Sequence, residues 1–159
     1  MSESSGWREI VASALDWEQA HASLDKAVGD LPPDLRGRRP EGVPYSIWQQ
    51  LEHIRLAQHD LLDFCRNPDY VHELQWPDDY WPNAHEPPSP GAWEDCLAAI
   101  RHDRQEFKRW TVEAEVDLTR QIPWGSGQTY LRTVIVAADH AAYHVGQIVL
   151  IRKLLGGWG

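Results

Sequence analysis

Cysteine is scarce in this sequence, as are basic residues and long apolar runs. Cys65 and Cys96 are the two cysteines, and they form no C-x-x-C pair, which argues against a redox dithiol or a thiolate zinc site. The opening MSESSGWREI has neither a basic start nor an apolar stretch, so we do not expect a signal peptide. We see no run that approaches the length of a membrane span and therefore expect a cytoplasmic protein with reduced thiols.

Basic residues are also fewer than acidic residues. The chain has 15 Lys and Arg against 24 Asp and Glu, a formal net charge of −9. Nucleic acids and anionic membranes are bound through basic residues, so neither is expected as a partner. The length of 159 residues with 42% hydrophobic residues favours a single domain, residues 1–159, with one core.

Most of the sequence has apolar residues at the spacing that is typical of helices. A first helix is predicted over about residues 6–29, where six residues share one face: Ile10, Ala14, Trp17, His21, Leu24 and Val28. A second helix is predicted to begin at Ser46, which has the spacing of a capping box with Gln49, and to stop at Asn67-Pro68.

Two further helices follow a long irregular segment. The third is predicted from Ser89 as N-cap, with Pro90 at the first helical position, to about Val116. The fourth runs from about Thr129 to Leu155 and is apolar on nearly every side, which is typical of a buried helix. Because no alternating strand pattern competes, we predict an all-α four-helix bundle.

Residues 67–90, between the second and third helices, form a long loop rich in proline and aromatic residues. Its six prolines exclude a regular helix. Four aromatic residues favour an ordered segment, since leaving them in water is costly: Tyr70, Trp76, Tyr80 and Trp81. We predict a lid over the functional site, with Trp81 or Tyr80 facing it. Packing on the bundle end or against a second subunit are the alternatives.

Two histidines interrupt the apolar fourth helix. His140 and His144 are four residues apart and therefore lie on one face. Burying two adjacent imidazoles is costly unless both are satisfied, and one metal ion would satisfy both. His53, on the second helix, can supply a third ligand from a facing helix. Three neutral imidazoles with open positions are typical of a catalytic rather than a structural metal site.

Related motifs do not fit. The zincin motif H-E-x-x-H needs Glu after its first histidine, and that position is Ala141. Di-iron bundles need two Glu-x-x-His motifs and two further Glu, but the fourth helix contains no Glu. Cys65 and Cys96 have no base nearby in sequence and are interpreted as buried inert thiols, and Ser126 in GSG is interpreted as a turn residue rather than a nucleophile.

The two histidine-bearing segments together carry a family resemblance. ADHAAYHVGQIVLIRKLLG and WQQLEHIRLAQHDLLDF resemble the last and second helices of the DinB-like family of metal-binding four-helix bundles. The resemblance covers almost the whole chain. It implies a homodimer with one divalent metal ion per chain, nickel or zinc first and iron or manganese as alternatives, held by His53, His140 and His144.

Four further residues are candidates for the surroundings of the metal. Gln147 and Tyr143 lie near the histidines in sequence, and His21 and Trp81 could line the pocket. Some relatives act with low-molecular-weight bacterial thiols. The resemblance therefore implies a metal-dependent S-transferase or isomerase, or a hydrolase. A non-catalytic metal-binding stress-response protein is the alternative.

Overall fold

A computed structural model describes residues 3–18 and 20–158 of the chain. Its described part is helical and contains five α-helices: α1 (Glu3–Ser13), α2 (Leu24–Val28), α3 (Ile47–Arg66), α4 (Ala92–Glu113) and α5 (Tyr130–Leu154). Short 3-10 turns lie at Ala14–Asp16, Pro33–Leu35 and Asp78–Tyr80. The predicted all-α bundle is confirmed, with α1, α3, α4 and α5 as its long helices.

The predicted first helix is wrong in its extent, because the chain leaves the helix after Asp16. Lys108 on α4 donates to both carboxylate oxygens of Asp16 at 2.9 Å. Ser23 then caps α2, its hydroxyl accepting the backbone N–H of Lys26. Both are polar contacts outside the apolar face, so apolar spacing alone could not show the break.

Local signals place α3 accurately. The predicted capping box is present: Ser46 accepts the N–H of Gln49, and the Gln49 side chain accepts the N–H of Ser46. Helix α4 begins later than predicted, with Gly91 at the N-cap, because the Ser89 carbonyl accepts the N–H of Ala92 in a turn.

Helix α5 is less buried than its composition predicts. Four large apolar side chains on it are exposed: Ile135 (53%), Tyr143 (63%), Leu150 (50%) and Leu154 (57%). By length and composition this helix could also cross a membrane, contrary to the sequence expectation. In the structure its opposite face packs against α3, with Val134, Ile148 and Ile151 in the core.

Candidate metal centre

The packing of α3 against α5 brings the three predicted ligands together. His53 comes from α3, and His140 and His144 come from consecutive turns of α5. Their ring centroids are 4.4–4.8 Å apart, and their candidate ligand atoms lie within 4.8 Å of one another. His53 is 1% and His144 6% exposed, while His140 is half-buried. This buried triad can hold a metal ion.

The His53 ring is held by the loop that follows α3. Its Nδ1 lies 2.9 Å from the backbone carbonyl of Tyr80. Because a carbonyl can only accept, Nδ1 carries the proton, and Nε2 keeps a free lone pair. That lone pair points towards His140, whose Nε2 is 3.0 Å away.

The His144 ring is held in the same way by α3. Its Nδ1 donates to the side-chain oxygen of Gln50 at 2.6 Å, which leaves Nε2 unprotonated. Hydrogen bonds of this kind fix the orientation of metal-binding imidazoles. Sequence reasoning missed Gln50, although it precedes His53 by three residues and so shares its helix face.

The surroundings keep all three imidazoles neutral. Burial, with a further contribution from the neighbouring imidazoles of His140 and His53, lowers the pKa of His144 to about 3. Burial and the His53 imidazole lower the pKa of His140 to about 4. Burial also lowers the pKa of His53, against the opposing effect of the Tyr80 carbonyl. Neutral imidazoles are the form that binds metal.

Distance and donor type fit a metal ion. Two nitrogens that bind the same metal ion, each at about 2.1 Å, lie about 3 Å apart when the N–metal–N angle is near 90°. The His53 and His140 Nε2 atoms have this separation. An all-imidazole set suits zinc, nickel or iron(II).

The loop between α3 and α4 folds back over the triad, as predicted. Trp81 stacks on His53, with ring centroids 3.9 Å apart and an interplanar angle of 4°, and it also stacks on Tyr45. The Trp76 ring lies 5.9 Å from His53 and 6.3 Å from His140, although it is 61% exposed. The indole groups thus cover part of the centre.

A carboxylate on α3 anchors this loop. One oxygen of Asp60 accepts the Tyr70 hydroxyl at 2.8 Å, and the other accepts the Tyr80 hydroxyl at 2.7 Å. His72 lies 3.2 Å from the same Tyr80 hydroxyl. Tyr80 therefore contacts Asp60 through its hydroxyl and His53 through its backbone carbonyl, which no sequence motif indicated.

The other predicted pocket residues differ in how exposed they are and in where they lie. Tyr143 is exposed, and its ring meets His144 edge-on at 4.9 Å. Gln147 is half-buried, and its predicted role beside the metal stays a prediction. His21 is exposed in the segment between α1 and α2, so its predicted position on an inner helix face is wrong.

The cysteines are poor nucleophiles here. Cys65 and Cys96 are both buried free thiols. Burial raises the pKa of Cys65 to about 12 and also raises the pKa of Cys96. Neither forms a thiolate at neutral pH.

Comparison with known families agrees with this geometry. The family model of the DinB superfamily matches residues 16–148. The chain belongs to the DinB superfamily. The match covers the whole of α3 and α4 and both α5 histidines, so this DinB protein carries its candidate metal centre within the matched region. Neither the curated proteins nor the solved structures include a match to the chain.

Proposed function

We propose that this DinB protein binds one divalent metal ion through His53, His140 and His144 and uses it in a reaction with a low-molecular-weight thiol. The observation that carries the proposal is the set of three neutral imidazoles, two of them held with Nε2 unprotonated. Zinc and nickel are the expected metals, with iron and manganese as alternatives.

Access to the centre favours catalysis over metal storage. His140 lines a pocket of about 260 Å³ between α3, α5 and the loop. A bound metal would act as a Lewis acid that lowers the pKa of a thiol or of water. Water activation would give a hydrolase, which is the second candidate reaction.

Residues around the triad orient the ligand rings and cover part of the centre. Tyr80 and Gln50 orient two ligand rings, and Trp81 covers one face of His53. Because Cys65 and Cys96 are buried with raised pKa values, the thiol of the proposed reaction would come from a substrate. This argues against a mechanism in which a cysteine of the chain is the nucleophile.

Activity should depend on the triad. We expect zinc- or nickel-loaded protein to accelerate consumption of a small thiol with an electrophile, measured by mass spectrometry. The double variant His140→Ala/His144→Ala should lose the acceleration. Equal rates for the two proteins, with metal present only in the wild type, would contradict the proposal.

We also propose that the protein forms a homodimer. Ile135, Tyr143, Leu150 and Leu154 lie on one exposed face of α5, where an apolar surface gains from being covered. Light scattering should give twice the 18.3-kDa chain mass, and Leu150→Lys should lower it. A monomeric wild-type protein at micromolar concentration would contradict the dimer.

A further inference from the structure

The cleft that reaches His140 has a marked chemical character. Its inner part is lined mainly by apolar and aromatic side chains: Ala57, Leu61, Trp76, Tyr80, Val136 and His140. Asp60 and His72 complete it and also line a second, wider pocket of about 430 Å³ that extends to Trp124 and Gln128. We call the inner part the α3–α5 cleft.

The cleft is lined by an acidic side chain and by no basic one among the described residues. Within the described part of the chain, neither pocket is lined by Lys or Arg. Asp60 is the carboxylate there, and both its oxygens already accept tyrosine hydroxyls. In the metal-free protein, an anionic group in the cleft would therefore lie near a carboxylate with no Lys or Arg to pair with it.

A large apolar surface at the cleft remains uncovered. Trp76 is 61% exposed, although its ring lies 5.1 Å from the Tyr80 ring and 6.3 Å from the His140 ring. An aromatic or alkyl group in the cleft would cover this indole and gain from burial.

We infer that the α3–α5 cleft binds an uncharged aromatic or alkyl group of the substrate and holds it beside His140. The inference rests on the proposed function, since a metal bound at His140 would place the reacting atom at the inner end of the cleft. That metal would also repel a cationic substituent. A charged part of a thiol co-substrate then lies outside the cleft.

A matched pair of fluorescent probes tests this selectivity. N-phenyl-1-naphthylamine is uncharged, and 1-anilinonaphthalene-8-sulfonate is the same molecule with a sulfonate. EDTA-treated wild-type protein, in which no bound metal attracts the sulfonate, should bind the uncharged probe about tenfold more tightly than the sulfonate, because burying the sulfonate beside Asp60 is costly. Equal binding, or tighter binding of the sulfonate, would overturn the inference.

Two valine-to-lysine variants locate the binding. Val136 lines the cleft, whereas Val112 lies on α4 and is 37% exposed. Val136→Lys should weaken binding of the uncharged probe about fivefold and strengthen binding of the sulfonate, while Val112→Lys should change neither. If both variants act alike, or if Leu150→Lys abolishes binding instead, the probe binds elsewhere and the inference fails.

A second variant covers the case in which Val136→Lys does not fold. Ala57→Leu keeps the charge and fills the inner cleft, so it should also weaken binding of the uncharged probe; unchanged binding would overturn the inference. Metal content is measured on every sample. If the protein binds no metal but still prefers the uncharged probe, the proposed function is contradicted and the inference about the cleft is supported. Full metal content after reloading, together with equal affinities of the EDTA-treated protein for the two probes, would overturn the inference about the cleft alone.

Discussion

The backbone carbonyl of Tyr80 accepts the Nδ1 proton of His53 at 2.9 Å, and this bond joins the α3–α4 loop to the candidate metal centre. The same residue is tied through its hydroxyl to Asp60, 2.7 Å away on α3. The position of the loop and the orientation of one ligand are therefore set together.

The first prediction concerns this link. Asp60→Ala removes the acceptor of both the Tyr70 and Tyr80 hydroxyls, so the carbonyl that orients His53 should be less well fixed. We expect nickel affinity to fall about tenfold, the lower end of the range for residues that hold metal ligands. Calorimetric titration measures it. Asp78→Ala is the matched control, because Asp78 is exposed in the same loop. Equal affinities for both variants would contradict the prediction.

The second prediction concerns Gln50. Gln50→Leu leaves the Nδ1 proton of His144 without its acceptor, and metal affinity should fall about 10- to 100-fold. Gln50→Glu keeps an acceptor for the same proton and should retain the wild-type affinity or exceed it. If Gln50→Glu loses as much metal affinity as Gln50→Leu, the hydrogen bond between His144 and residue 50 does not determine that affinity.

The third prediction uses the tryptophans as reporters. Trp81 stacks on His53 at 3.9 Å, so a paramagnetic ion such as Ni²⁺ in the triad should quench its fluorescence. Trp81→Phe should remove a large part of the nickel-induced quenching. Trp17→Phe is the control, since Trp17 lies 44% exposed in the segment after α1. Quenching that survives in Trp81→Phe and disappears in Trp17→Phe would place the ion elsewhere.

The fourth prediction is the pH dependence of stability without metal. The folded pKa values of His140 and His144 are lowered to about 4 and 3 from an unfolded value of 6.5. The unfolded chain therefore binds more protons below pH 6.5, and the free energy of unfolding should fall as pH drops towards 4. The loss approaches about 1.4 kcal/mol per pH unit for each imidazole.

Denaturant unfolding of EDTA-treated protein between pH 7 and 5 measures this loss. The window lies above the ordinary pKa values of Asp and Glu, which are about 3.9 and 4.3. The double variant His140→Asn/His144→Asn should show a shallower decline. A wild-type protein whose stability is constant across the window would contradict the assigned neutral histidines.

Sequence predicted the parts of this molecule that depend on local spacing. The capping box of Ser46 and Gln49 fixed the start of α3, and the i, i+4 spacing of His140 and His144 placed both rings on one face. The break after Asp16 depends on Lys108, 92 residues away, and no local pattern encodes such a contact.

The candidate site was predictable in its histidines and less so in what holds them. Gln50 had a usable signal, since it shares a helix face with His53. The Tyr80 carbonyl had none, because a backbone atom in an irregular loop leaves no trace in residue type. The exposed side of α5 was missed because apolar composition does not distinguish burial in a core from exposure on a surface.

Metal stoichiometry tests the central claim most directly. Elemental analysis of protein purified without a histidine tag should find one divalent metal ion per chain in the wild type. The same value is expected in the control His59→Ala/His102→Ala, which removes two histidines outside the triad. His140→Ala/His144→Ala should retain almost none. Full metal occupancy in that last variant would contradict the assignment of the triad as the metal site.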